Sequence, residues 1–132
     1  MTQEEILESN KIIAEFLGYS EGYPHKIDQY GYEQTVEGYK INGVDIATDD
    51  LKYHYSWDWL MPVAEKISKL GEVYYFSILP NASTDIMLKT ITIDDAFIFN
   101  FHVEESQSTL DCVYKTVVSF IKWYNQNEKT EN

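Results

Sequence analysis

The sequence predicts an α+β fold in which an antiparallel sheet of three strands, or slightly more, is sandwiched between helices. Apolar residues recur at helical spacing in three segments, at the start, in the middle and at the end of the chain. Three runs rich in β-branched and aromatic residues follow one another between the second and third segments. The 132 residues are 44% hydrophobic, which is enough for one core. We therefore expect a single domain over residues 1–132, in the order α–(loop/hairpin)–α–β–β–β–α, with a polar tail from about residue 127.

The first helix is predicted from about Thr2 to Leu17. Thr2 and Glu5 have the spacing of a capping box, and Gly18 is placed to end the helix. One face carries the positions expected in the core, and glutamates occupy the opposite side. The core positions are Ile6, Asn10, Ile13 and Leu17.

Residues 18–56 lose this periodicity. They contain five of the six glycines and seven of the eleven tyrosines of the chain. Asn42-Gly43 lies between two short strand-like segments and predicts a β-hairpin. We expect the rest of this stretch to form long loops, a feature that is often functional in a compact domain.

The second helix is predicted from about Trp59 to Leu70, with Asp58 as its N-cap and Gly71 just past its end. Pro62 is expected in the first turn, where the backbone amides have few partners. The apolar stripe of this helix comprises Leu60, Val63, Ala64, Ile67 and Leu70.

Three strands should follow, at Glu72–Leu79, Met87–Ile93 and Phe97–Val103. The first is apolar on both faces, which predicts a central strand covered from both sides. The second alternates in part, which predicts an edge strand. The short gap at Asp94-Asp95 favours an antiparallel hairpin between the last two strands.

The last helix is predicted from about Thr109 to Asn127, with Ser108 and Asp111 at capping-box spacing. Its core stripe comprises Leu110, Val113, Tyr114, Val117, Ile121 and Tyr124. A second stripe lies on the far side and comprises Cys112, Thr116, Ser119 and Trp123. This second stripe raises one alternative function, self-assembly into a symmetric dimer.

Three segments resemble a group of small phage and prophage proteins that are frequent in Bacteroidetes. The most specific is Ser56–Val63 (SWDWLMPV), followed by Glu65-Lys66-Ile67. Phe120–Asn125 (FIKWYN) resembles the C-terminal helix of the group, and Asn10–Phe16 (NKIIAEF) resembles its opening helix. The group resembles the phage ABA-sandwich domain, which implies a sheet between helical layers over the whole chain. The resemblance implies no activity and no catalytic residue.

The net charge of the chain argues against several kinds of partner. The formal net charge is −12, and all ten basic residues are lysine. A chain this acidic and without arginine is repelled by phosphates, which argues against direct binding of nucleic acid or anionic membranes. A basic protein partner, imitation of nucleic acid and plain solubility remain open. The single cysteine, Cys112, and the absence of a signal-peptide pattern favour the cytoplasm.

The sequence offers few candidates for catalytic or metal-binding residues. His54 and Asp58 lie close together in sequence before a predicted helix, and His102 could join them in space to form the site of a small hydrolase or metal-dependent enzyme. Helix capping already explains Asp58, however. No metal-ligand spacing, phosphate loop or nucleophile motif is present, so we expect no cofactor and no metal.

The aromatic residues favour a binding function instead. Tyrosine and tryptophan provide large, stiff contact area with a polar tip and are frequent at protein interfaces. The sequence therefore predicts a non-enzymatic protein-binding module of a phage or prophage that acts in the bacterial cytoplasm, and one form of this would inhibit a basic host protein by charge mimicry. The predicted partner-binding residues are Tyr23, Tyr30, Tyr32, Tyr39, Trp57 and Trp123.

Overall fold

A computed structural model describes residues 1–70, 74–79, 83–91, 96–103 and 108–127. Over these residues the chain forms three α-helices and antiparallel sheets, so the predicted α+β class is confirmed, as is the order α–β–β–β–α from the second helix onward. The chain divides into two compact units, Met1–Lys52 and Tyr53–Asn132. The remaining residues, among them Gly71, Asp94-Asp95 and the predicted polar tail beyond residue 127, lie outside the described part of the chain.

The first unit begins with helix α1 (Gln3–Phe16), as predicted. Its N-cap Thr2 accepts the backbone N–H of Glu5 at 3.1 Å, and Gly18 ends the helix with a φ of +85°. The buried face includes Asn10, whose Nδ2 donates to the carbonyl oxygen of Leu51 at 3.3 Å. This bond ties α1 to the chain at the end of a 3-10 helix, Thr48–Asp50.

The stretch after α1 holds two small sheets, which corrects the prediction of long loops with a single hairpin. The first sheet has the order β1-β4-β5, and the second pairs β2 with β3. The predicted hairpin at Asn42-Gly43 is confirmed, because both residues have positive φ, as a type I′ turn requires. The five strands are β1 (Glu21–Gly22), β2 (His25–Ile27), β3 (Glu33–Thr35), β4 (Gly38–Ile41) and β5 (Val44–Ala47).

The second unit begins its regular structure with helix α2 (Trp57–Ser68), two residues earlier than predicted. Ser56 is the N-cap, so the prediction for Asp58 was wrong: it lies in the first turn. Serine caps a helix as well as aspartate does, which is why a start at Ser56 is equally favourable. The earlier start also places Pro62 beyond the first turn, where its missing N–H removes a helical hydrogen bond. The predicted apolar stripe is buried at Leu60, Val63, Ala64 and Ile67.

Three antiparallel strands follow α2 in the order β6-β7-β8. The first, predicted as central, lies at an edge, and the second, predicted as an edge, is central. Two consecutive hairpins always put the second strand in the middle. An apolar pattern on both faces of a strand indicates that both faces are covered, but it does not indicate whether the strand is central or at an edge. The hairpin predicted between the last two strands is confirmed. The strands are β6 (Tyr74–Leu79), β7 (Ser83–Ile91) and β8 (Ala96–Val103).

Helix α3 (Thr109–Asn127) has the predicted bounds. The hydroxyl of Ser108 accepts the N–H of Asp111 at 3.1 Å, which confirms the predicted cap. The helix contacts β7, β8 and α2. Four of the six residues of its predicted core stripe are buried, and Leu110 and Tyr124 are half-buried. In the second stripe, Cys112 and Thr116 are also fully buried. These two residues therefore offer no surface to a second copy of the chain, which removes half of the stripe on which the dimer alternative rests.

Candidate functional site

A short hairpin projects the most exposed aromatic side chains of the described residues. We call residues 25–35 the tyrosine hairpin. Its two strands, β2 and β3, pair antiparallel with His25 opposite Thr35 and Ile27 opposite Glu33. At its base, the N–H of Val36 donates to the carbonyl oxygen of Pro24 at 2.9 Å. The hairpin therefore has a continuous ladder of backbone hydrogen bonds although each strand is only three residues long.

Asp28 fixes the tip of the tyrosine hairpin. One carboxylate oxygen accepts the N–H groups of both Tyr30 and Tyr32, at 2.8 and 3.0 Å, and the other accepts the amide of Gln34 at 3.1 Å. The N–H of Gly31 donates to the carbonyl oxygen of Asp28 at 3.0 Å, and Gly31 has a φ of +87°. This is a three-residue hairpin loop with glycine at its left-handed position. The backbone that carries the two tyrosines is thus held in one conformation before any partner binds.

The side chains on this rigid backbone point into solvent. Ile27, Tyr30 and Tyr32 are 74%, 75% and 70% exposed, the highest values among the large hydrophobic side chains that the structure describes. Large apolar side chains concentrated over six consecutive positions are costly to leave in water. Their concentration in one short segment makes the hairpin the strongest candidate for a binding surface among the described residues.

The hairpin carries no available positive charge. Lys26 is its one lysine, and its Nζ lies 2.9 Å from Asp50 and 3.3 Å from Asp49, both in the 3-10 helix. Its hydrogen bond to Asp50 is the main cause that raises the pKa of Lys26. On the other side of β2, Nδ1 of His25 lies 3.4 Å from a carboxylate oxygen of Glu33. Because these groups are exposed, the pairs contribute little to stability, but the Lys26 pairs connect the hairpin to the 3-10 helix of its unit.

Tyr23 lies just before the tyrosine hairpin and is also exposed. Its hydroxyl donates to Oε2 of Glu21 at 2.8 Å. This hydrogen bond is the main cause that raises the pKa of the Tyr23 phenol. Three of the predicted tyrosines, Tyr23, Tyr30 and Tyr32, are therefore exposed in one short stretch of chain.

Tyr39 does not share this surface. It is 3% exposed, on β4, and its hydroxyl donates to Oε1 of Glu15 on α1 at 3.0 Å. Burial, and then this hydrogen bond, raise the pKa of Tyr39 well above the ordinary value for tyrosine. Its predicted place at an interface is corrected: Tyr39 belongs to the core of the first unit. The sequence shows only that the residue is a tyrosine in a short strand, which does not reveal the face it occupies.

The two predicted tryptophans lie in the second unit. Trp57 is the first residue of α2 and is exposed, and Met61 follows one turn later, also exposed. Met61 borders a shallow, open depression on this helix, which is lined by Met61, Ala64, Glu65 and Ser68. Trp123 is half-buried on α3, with its ring centroid 6.2 Å from that of Phe120.

The candidates for catalysis are also in the second unit. His54 is half-buried, and its ring centroid lies 4.7 Å from Tyr55 and 6.1 Å from Tyr114. Burial lowers the pKa of His54, whereas a carboxylate paired with it would raise that pKa, so the shift gives no support to a His54–Asp58 pair. Asp58 is exposed in the first turn of α2. His102 lies in β8 opposite Asp85, and its side chain is outside the described part of the structure.

The described residues lack two features that would point to a particular function. Within them, no group of three or more histidine, cysteine, aspartate or glutamate side chains could hold a metal ion. No helix among the described segments is long and apolar enough to cross a membrane. Comparison of the chain with known protein families, characterised proteins and solved structures found no match.

Sequence reasoning missed two residues of the tyrosine hairpin, Asp28 and Ile27. Asp28 could have been found, because aspartate at the first position and glycine at the fourth position of a turn, here Gly31, are typical of a type I turn. That signal would have predicted a second hairpin in the region assigned to loops. Ile27 has no such signal, since an isoleucine in a short strand is usually buried.

Proposed function

We propose that this chain is a non-enzymatic protein-binding module and that the tyrosine hairpin is its main contact surface. The observation that carries the proposal is the combination of a backbone held by Asp28 with the three most exposed large hydrophobic side chains of the described residues. A preorganised aromatic surface loses little conformational entropy on binding, which is how rigid tyrosine-rich loops gain affinity.

The proposed setting is the bacterial cytoplasm, with a phage or prophage as the source. This part is supported by the resemblance of three segments, and all three lie mainly in helices: Asn10–Phe16 in α1, Ser56–Val63 at the start of α2 and Phe120–Asn125 in α3. The resemblance leaves residues 18–56 least matched. The tyrosine hairpin is therefore proposed as a feature of this chain rather than of the group.

A second form of the proposal is charge mimicry, in which the acidic surface competes with nucleic acid for a basic host protein. The supporting observation is the net charge of −12, together with the engagement of Lys11 by Glu37 at 3.1 Å and of Lys26 by Asp49 and Asp50. Such a complex should weaken steeply as salt is raised and should be displaced by duplex DNA. A complex that is insensitive to both would contradict mimicry.

The test of the main proposal is affinity capture from bacterial lysate with the immobilised full chain and two variants. Tyr30→Ser/Tyr32→Ser removes the aromatic rings of the tyrosine hairpin. The matched control, Val44→Ser/Tyr55→Ser, removes two other exposed side chains. We expect the first variant to lose at least nine-tenths of a specifically captured protein (on the order of tenfold in affinity,) and the control to retain it. Equal capture by all three proteins would contradict the proposal.

A further inference from the structure

We infer that the tyrosine hairpin binds a cationic polypeptide segment and that arginine side chains of this segment stack on the rings of Tyr30 and Tyr32. The inference rests on the proposed function and adds the chemistry of the partner. Its basis is that two solvent-exposed aromatic rings lie in an acidic unit. The one lysine of the hairpin, Lys26, is already paired with carboxylates.

The aromatic rings provide the first part of the argument. The face of a tyrosine ring is electronegative, and it attracts ammonium and guanidinium groups that approach within about 6 Å. Both Tyr30 and Tyr32 are at least 70% exposed, so a partner can reach their faces. Arginine suits such a site better than lysine, because its planar guanidinium stacks on a ring and is weakly hydrated.

Charge complementarity provides the second part. Residues 1–52 contain eleven carboxylates and four lysines, which gives this unit a formal charge of −7. The lysine on the hairpin, Lys26, is held by Asp49 and Asp50 and does not repel an approaching cation. Glu33 lies next to the loop, in the strand that follows Tyr32. The surface therefore attracts a cationic segment and repels acidic peptides and phosphates.

The third part concerns the size of the ligand. A single cation–π contact at an exposed site is worth less than about tenfold in affinity. Several contacts are thus needed, and a flexible segment with repeated arginines can contact both rings and the carboxylates around them. A small cation with one charge cannot do so.

Asp28 is a positioning residue in this arrangement. Oδ1 of Asp28 accepts the backbone N–H groups of both Tyr30 and Tyr32, so the lone pairs of this oxygen are already used within the turn. Asp28→Ala removes the acceptor of both N–H groups, so the turn should no longer hold the two rings in fixed positions. Asp28→Asn keeps one oxygen that can accept both N–H groups. The two variants separate the role of geometry from that of charge.

The experiment measures binding of fluorescent deca-arginine and deca-lysine peptides to the full chain by anisotropy at fixed low salt. We expect deca-arginine to bind more tightly than deca-lysine, and Tyr30→Ala/Tyr32→Ala and Asp28→Ala each to weaken its binding at least about tenfold. Tyr30→Phe/Tyr32→Phe and Asp28→Asn should stay within about threefold, because they keep the rings and the turn. Circular dichroism checks that each variant is folded.

The charge control is Glu4→Gln/Glu8→Gln, which removes two exposed carboxylates of α1 and should weaken binding less than about threefold. Binding that is unchanged by loss of the tyrosines, equal loss in the charge control, or equal affinity for both peptides would each overturn the inference. A lysate partner captured through the hairpin that proves not to be cationic would overturn this inference alone. Arginine-peptide binding as expected, without any hairpin-dependent capture, would count against the proposed function instead.

Discussion

Tyr39 and Tyr30 are the same residue type in opposite environments, and their backbones decide the difference. Tyr39 lies on β4, the central strand of its sheet, with its ring buried and its hydroxyl on Glu15. Tyr30 lies in a hairpin loop whose backbone is satisfied by Asp28, so its ring is not needed to complete a core. A buried phenol must keep its hydrogen bond, whereas an exposed one exchanges it with water.

The first prediction follows from this contrast. Tyr39→Phe removes a part-buried hydrogen bond to a carboxylate, and we expect the free energy of unfolding to fall by about 1–2 kcal/mol. Tyr32→Phe, in which the hydroxyl is exposed to water, should change it by less than about 0.5 kcal/mol. Chemical denaturation followed by circular dichroism measures both. Equal effects of the two substitutions would show that the bond to Glu15 contributes nothing to stability.

The second prediction concerns pH and His54. Burial lowers the pKa of His54 below its ordinary value of 6.5, so the folded chain binds a proton there less readily than the unfolded chain does. The stabilising contribution is complete above pH 6.5 and is lost as the pH falls towards the lowered pKa of the folded state.

The variant that isolates this effect is His54→Gln, which has no proton to gain over the same range. As the pH falls from 8 to 5, the free energy of unfolding should decrease more for the natural chain than for this variant. The carboxylates titrate equally in both proteins and cancel in the difference. A difference that is constant with pH, or that moves in favour of the natural chain, would contradict burial as the cause of the shift.

At the scale of elements, local signals predicted helix ends wherever only one residue could cap. Thr2 with Gly18 bounded α1, and Ser108 bounded α3, because side chain and backbone geometry agree there. At α2 two residues able to cap a helix, Ser56 and Asp58, lie two positions apart; the prediction used Asp58, and the structure has Ser56. The strand order failed for a different reason: the pattern of a strand reports which faces are covered, while the order depends on how successive hairpins fold.

The sheet of the first unit depends on a glycine for a reason that the sequence does not show. Gly38 lies in β4 between β1 and β5, opposite Gly22 on one side and Ala47 on the other. A Cβ at this position would overlap the carbonyl oxygen of Ile46 and approach the Cα of Ala47 to 2.9 Å. The neighbouring strand can approach this closely only because position 38 has no side chain.

The third prediction tests that close approach. Gly38→Ala forces backbone against backbone and should lower the free energy of unfolding by about 2 kcal/mol or more. Gly43→Ala, in the hairpin turn between the same strands, places a Cβ in open space and has only the cost of a φ of +82°, about 1–2 kcal/mol. Thermal or chemical unfolding ranks the two. If Gly43→Ala proved the more harmful, the turn rather than the close approach would control this sheet.

At the scale of the whole molecule, the sequence predicted the acidic surface well and the candidate site in part. Charge needs no structure, since carboxylates stay at the surface in any fold. Locating the proposed binding surface needed the fold: Tyr30 and Tyr32 are exposed, whereas Tyr39, predicted together with them, is buried. Whether a tyrosine in a glycine-rich region is core or contact depends on strand pairings over long sequence separations, which local patterns do not contain.

The net charge of −12 also bears on stability. The ion pairs in the described part of the chain, such as Lys11–Glu37 and Lys69–Glu65, are at least partly exposed, and each is worth at most about 1 kcal/mol. Twelve excess negative charges repel one another across the whole molecule. Since lysines are outnumbered by carboxylates 10 to 22, repulsion should outweigh attraction.

The fourth prediction is that salt stabilises the protein. Raising NaCl from about 0.01 to about 0.1 M shortens the screening length from about 30 to about 10 Å, which weakens long-range repulsion more than contacts at 3 Å. We expect the thermal midpoint to rise by about 3–5 °C, equivalent to about 1 kcal/mol. Glu4→Lys/Glu8→Lys changes the net charge by +2 at each position, from −12 to −8, and should reduce this rise. A midpoint that falls with salt would mean that the ion pairs, rather than the excess carboxylates, dominate the electrostatics of this fold.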